Sequence, residues 1–182
     1  MKKLIAMLLA LCLTLCLIPT AFAEAAEADV ISQLHTVVAA YLDEEGYIYE
    51  YDEANQAFTL TFGLNCALDT VAVTIYLYDD MVSVSVDSPL QITEEAFESA
   101  AVFTTLANNE MYYAQFRIDP DSGCLTCRSC QMIETVVPEL QEINTLFVMP
   151  LVYMEDYGDG IAQVSAGGDP YEAFSACSAF AQ

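Results

Sequence analysis

The stretch "VAVTIYLYDDMVSVSV", Val71 to Val86, decides the fold. Val71, Val73, Ile75 and Leu77 alternate with Thr74, Tyr76 and Tyr78, and beyond Asp79-Asp80 the residues Val82, Val84 and Val86 alternate with Ser83 and Ser85. A period of two across both halves marks strands with one buried and one wet face. With Asp79-Asp80 as a two-residue loop, 77 pairs with 82, 75 with 84 and 73 with 86, so every inward pair is aliphatic. Aspartate can visit the left-handed backbone region that such a turn demands.

The same period appears upstream. Tyr47, Tyr49 and Tyr51 alternate with Ile48 and Glu50, and Phe58, Leu60 and Phe62 alternate with Thr59 and Thr61 across the polar "DEANQ". Pairing Tyr51 with Phe58 puts all six large side chains on one face. Before this hairpin, Val30, Leu34, Val37, Val38, Tyr41 and Leu42 recur at helical spacing and Gly46 closes the run.

Downstream, Thr93 is the expected N-cap of a middle helix that stops at Asn108-Asn109. Met111 to Ile118 and Cys124 to Gln131 read as a third hairpin around "DPDSG", with Gly123 supplying positive φ. Pro138 reads as the first residue of a long helix that passes Pro150 with a kink and ends at Gly167-Gly168. Asp169-Pro170-Tyr171-Glu172 has the N-cap and capping-box character of a short last helix. The fold expected is α+β: an antiparallel sheet of three β-hairpins, with an N-terminal helix, a middle helix and a long C-terminal helix packed on it.

Charge and the first residues bound the compartment and the partners. Lys2 and Lys3, the apolar block Leu4 to Ile18 and "AFA" at 21–23 read as a secretory signal peptide cut after Ala23. Cys12 and Cys16 each follow a leucine, which favours release over lipid anchoring. Residues 24–182 then form one domain, with a core of about 30–168 and the short helix at 169–180. That domain carries 27 acidic residues against two arginines and no lysine. Such a balance repels phosphate backbones and anionic bilayers, so neither nucleic acid nor, after cleavage, a membrane is an expected partner. The expected location is secreted or extracytoplasmic.

Three cysteines, 124, 127 and 130, raise the question of a metal or redox site. In the third hairpin, with 118 opposite 125, 116 opposite 127 and 114 opposite 129, Cys127 faces the core while Cys124 and Cys130 face outward. The outer pair then lies about 20 Å apart along the strand at ~3.3 Å per residue, too far to share one ion. A buried thiol and two surface thiols are the preferred reading; a thiol-based metal or redox protein using Cys124, Cys127 and Cys130 is the competing one. Pairing of Cys66 or Cys177 with Cys124 or Cys130 stays open, and five cysteines leave at least one unpaired in any intramolecular scheme. His35 lacks a placed nucleophile and reads as a half-buried helix residue. "DPDSG" is a turn lacking the far-end acid of a calcium loop, and "DYGDG", 156–160, is too short for a metal cage.

On the outward face of the same hairpin, 117 opposes 126, 115 opposes 128 and 113 opposes 130. Arg117 and Arg128, the only cations of residues 24–182, are therefore diagonal neighbours with Tyr113 beside them. Their ordinary role is to offset carboxylates such as Glu50 or Asp87. The alternative is a partner-binding spot of Arg117, Arg128, Tyr113 and the outward Tyr76, since interfaces favour arginine and tyrosine.

The order helix, four antiparallel strands, helix, hairpin, long helix resembles the YbjN-type domain, whose fold is similar to that of type III secretion chaperones. The stretches that carry the resemblance are "LDEEGYIYEYDEANQAFTLTF", "VAVTIYLYDDMVSVSV", "LANN" with "FRIDPDSG", and "YMEDYGDGIAQVSAGG", spanning nearly all of 30–168. The resemblance implies a protein-binding or regulatory module, often dimeric, with no catalytic residues. The leader peptide and the cysteine cluster depart from that pattern. The expectation is a secreted, acidic, non-enzymatic interaction module without cofactor, whose partner is another protein or a second copy of the chain.

Overall fold

Val73, Ile75, Val84 and Val86 are at most 1% exposed, and their burial holds the centre of the sheet. Each such side chain contributes about 1.5–3 kcal/mol when removed from water. A slip of one residue would turn all four into solvent, so the register is strongly specified. In the computed structural model, which describes residues 30–134 and 136–177, the register is the expected one: Leu77 faces Val82, Ile75 faces Val84 and Val73 faces Val86. The expected leader peptide, the expected cut after Ala23 and the residues past Cys177 lie outside the described residues.

The elements follow in the order α1 (30–44), β1 (Glu50–Asp52), β2 (Ala57–Gly63), β3 (Thr70–Leu77), β4 (Met81–Gln91), α2 (Phe97–Glu110), β5 (Gln115–Ile118), β6 (Cys124–Met132), α3 (Leu140–Ser165) and α4 (Pro170–Cys177). Six antiparallel strands form one sheet in the order β1-β2-β3-β4-β6-β5. The first helix, the middle helix and the long helix pack on one face through a single apolar core, as expected for this α+β fold. The Tyr41 ring lies 5.7 Å from Phe147 and its hydroxyl donates to Asn144 Oδ1, which joins α1 to α3. The opposite face carries Thr59, Thr61, Thr74, Tyr76, Ser85, Thr126 and Arg128, and no described helix covers it. No described helix is long and apolar enough to cross a membrane.

Several local expectations need correction. The first strand does not begin at Tyr47: Tyr47 N–H donates to Leu42 O at 2.9 Å and its ring lies 5.1 Å from Phe147, which draws 47–49 out of the ladder toward α1 and α3. Thr93 caps a turn ahead of the middle helix, accepting from Ala96 N–H at 3.3 Å, and the helix itself starts at Phe97. Pro138 precedes the long helix, whose N-cap is Glu139; Glu139 and Glu142 exchange capping-box hydrogen bonds. That helix runs continuously through Pro150. In the third hairpin the pairs 116–127 and 118–125 form, but β5 begins only at Gln115, so 114–129 and 113–130 are not part of the ladder. Asp169 caps the last helix as expected, its Oδ1 accepting from Tyr171 and Glu172 N–H at 2.9 Å.

Candidate functional site

On the uncovered face of the sheet, the outward residues stand in rows set by the register. One row runs Glu50, Thr59, Thr74, Ser85, Arg128, Gln115; the next includes Thr61, Ala72, Asp87, Thr126, Arg117. Arg117 and Arg128 are diagonal neighbours, so their Cβ atoms are roughly 7–8 Å apart. Two cations this close favour an anion between them.

Both arginines line a depression of about 500 Å³ together with Tyr76, Ser85, Asp87 and Cys124. Beside it the β4–β6 register breaks: Asp87 faces Thr126 but Gln91 faces Cys124, so β4 carries two extra residues around Pro89. Proline, lacking an N–H, suits such a bulge. Ser88 Oγ accepts from Leu90 N–H at 3.1 Å and steadies it. At the far rim Asp119 accepts from the N–H groups of Asp121 and Ser122, which hold its carboxyl below the ordinary range.

Arg128 is half-buried, and its Nε donates to Ser83 Oγ at 2.7 Å. Ser83 in turn donates to the Ser129 carbonyl at 3.1 Å. This chain fixes the guanidinium plane and leaves its other N–H groups for a ligand. Arg117 is exposed and Tyr76 half-buried. The structure thus brings three of the four expected residues, Arg117, Arg128 and Tyr76, to one place. Tyr113 is not among the residues lining the depression; it lies in the bend before β5, 62% exposed. Of the carboxylates expected to offset the arginines, Asp87 shares the depression, while Glu50 is four strands from Arg128, roughly 19 Å at the usual strand spacing. The bulge beside the site was missed; Pro89 inside an otherwise alternating run was the signal for it.

The thiols do not converge. Cys127 is fully buried against the core, Cys124 is half-buried on the opposite face and Cys130 is exposed. Among the described residues, no three His, Cys, Asp or Glu side chains are placed to hold a metal ion. The five described cysteines are free thiols. Burial pushes the thiols of Cys66, Cys124, Cys127 and Cys177 above their ordinary range, with Asp87 and Asp119 adding to the effect at Cys124. Protonated thiols of this kind are poor nucleophiles and poor ligands. "DYGDG" lies inside α3, where Gly158 and Gly160 let Cys66, Phe103 and Cys177 approach the helix backbone. His35 is half-buried, with its ring 4.4 Å from Tyr51 and 5.1 Å from Phe58, in an aromatic cluster.

No family model matches the chain. No curated protein matches it either. Among solved structures, the chain is similar to YbjN from E. coli at 15% identity and a TM-score of 0.46, over 65% of this chain and 89% of that one, a likeness of fold alone.

Proposed function

We propose that this protein is a secreted, acidic, non-enzymatic protein-interaction module, a secreted version of the YbjN-type domain, that docks a partner on the open face of its sheet. The observation that carries the reading is the meeting of Arg117 and Arg128 with Tyr76 in one depression on a face that no described helix covers. Arginine and tyrosine in a partly desolvated hollow are the residue types that dominate interface energetics. The high negative charge elsewhere steers a partner of opposite overall charge, while the two arginines take a carboxylate from it. The secretion part rests on Lys2, Lys3, the apolar block that follows and "AFA" at 21–23.

The test is a comparison of the exported wild type with Arg117→Ala/Arg128→Ala, by quantitative recovery of bound proteins from the extracellular medium and by sedimentation for self-association. Truncating a central interface arginine costs on the order of 2 kcal/mol, so the double variant should bind about 30-fold more weakly or worse. Unchanged recovery together with unchanged assembly refutes docking at this face. A mass beginning at any residue other than Glu24 refutes the cleavage site.

A further inference from the structure

A sheet has two edges, and the two here are managed differently. At the β5 edge, Phe116 is one of the residues whose N–H and C=O point away from β6, and the Asn108 side chain from α2 occupies both: Phe116 N–H donates to Asn108 Oδ1 at 2.7 Å and Asn108 Nδ2 donates to Phe116 O at 3.0 Å. An amide side chain thereby stands in for a neighbouring strand and closes the edge at Phe116.

At the other edge β1 is too short to cover β2. It pairs only with Ala57, Phe58 and Thr59, whereas β2 continues to Gly63. The ladder phase says which groups are left. Gln56 O accepts from Leu77 N–H and Leu64 N–H donates to Asp69 O, so the even-numbered residues of β2 aim their N–H and C=O at β3. The odd-numbered residues aim theirs the other way. Thr59 meets Glu50 of β1; Thr61 and Gly63 lie past the last pair, and both are exposed. The chain that would have continued β1 is held away by the Tyr47 to Leu42 hydrogen bond. Ile48, Tyr49 and Glu50 border a depression of about 540 Å³ on the open face of the sheet, which extends over Thr59 and Thr61 of β2 to Ala72 and Thr74 of β3. Ile48 beside it is 93% exposed, an apolar side chain with nothing to pack on.

The surroundings specify the occupant. Glu50 lines the depression, Asp43 is reached from it through the Tyr49 hydroxyl at 3.0 Å, and Asp69 follows Gly63 across the β2–β3 turn. Both arginines lie on β5 and β6; Arg128 is three strands from Thr59, roughly 14 Å. A second copy of this chain would bring the same strong negative charge to an acidic rim, which opposes self-pairing.

We infer that the open half of β2, at Thr61 and Gly63, is a strand-addition site for an extended segment of a basic partner, one that alternates Lys or Arg with β-branched residues. The segment lies beside β2 where 47–49 would otherwise have run. Its backbone meets the N–H and C=O of Thr61 and Gly63, its cations stand on the open face with Glu50, and its apolar side chains turn to the helix-packed face. The site is separate from the arginine depression, so the two readings stand or fall independently.

The probe is a ten-residue peptide alternating Lys with Val, with a Glu–Val peptide as control, titrated into the full exported protein by fluorescence anisotropy and amide hydrogen exchange. The expected result is saturable binding of the Lys–Val peptide that slows exchange at the Thr61 and Gly63 amides at least about tenfold and weakens with salt. Thr61→Pro removes the outward N–H at a position where an edge strand tolerates proline, and should weaken binding at least about tenfold. Arg117→Ala/Arg128→Ala should leave peptide binding intact. The inference is overturned by no binding, by equal binding of the Glu–Val peptide, by full affinity in a folded Thr61→Pro variant, or by concentration-dependent protection of Thr61 without peptide, which would make a second copy the occupant. If Thr61→Pro does not fold, wild-type protection at Thr61 decides alone.

Discussion

Ser129→Ala should destabilise this protein because of a proline on another element. Pro150 lies buried inside α3 and has no N–H, so the carbonyl of Leu146, four residues before it, loses its helical hydrogen bond. Leu146 is 9% exposed, and water has little access to that oxygen. Ser129, 2% exposed on β6, donates its hydroxyl to Leu146 O at 2.6 Å and satisfies it. Removing the hydroxyl leaves a buried carbonyl without a partner, at a cost of about 1–3 kcal/mol. For a domain of this size each kcal/mol lowers Tm by roughly 2–4 °C. A double-mutant cycle isolates the effect: in the Pro150→Ala background the new residue supplies the missing N–H, so the serine is no longer needed. Urea denaturation of the four proteins, checked for a constant slope, should show Ser129→Ala costing at least about 1 kcal/mol less in the Pro150→Ala background than in the wild type. Additivity within about 0.5 kcal/mol would refute the compensation.

Asn108→Ala frees both edge groups of Phe116, and is expected to cost about 1–3 kcal/mol in urea and to promote concentration-dependent association by sedimentation; a stable, monomeric variant would show that the β5 edge needs no closure. The Asp156 carboxyl is held above its ordinary range by burial and then by Glu155. A carboxyl whose folded pKa is raised is favoured neutral in the native state, so its ionisation destabilises the fold as pH rises from 3.8 upward through the folded value. Asp156→Asn should therefore raise Tm at pH 7, with the gain shrinking as pH falls through that window; a gain unchanged down to pH 3 would remove titration as its cause.

What the sequence shows and what it hides follow from which partner each residue needs. The central hairpin is legible because Val73, Ile75, Val84 and Val86 require only a period and a short turn to find one another. Arg117 and Arg128 are legible as neighbours for the same reason, since register alone makes them diagonal. The alternation of Tyr47, Tyr49 and Tyr51 misleads, because it persists whether or not the backbone stays in the ladder; a hydrogen bond from Tyr47 to the end of α1 takes the chain out of it. Asn108 looks like a helix stop, yet its amide works on a strand eight residues later. Ser129 looks like an outlier in an inward row, and only its bond to the carbonyl that Pro150 leaves open explains it. In each of these cases a polar group, backbone or side chain, answers the backbone of another element, and no periodicity records such a debt. Core and register are therefore readable from pattern, whereas the edges of the sheet are settled by single hydrogen bonds between elements. On the function proposed above, recognition would fall to the edges and open faces of the sheet, the parts that composition and spacing specify least.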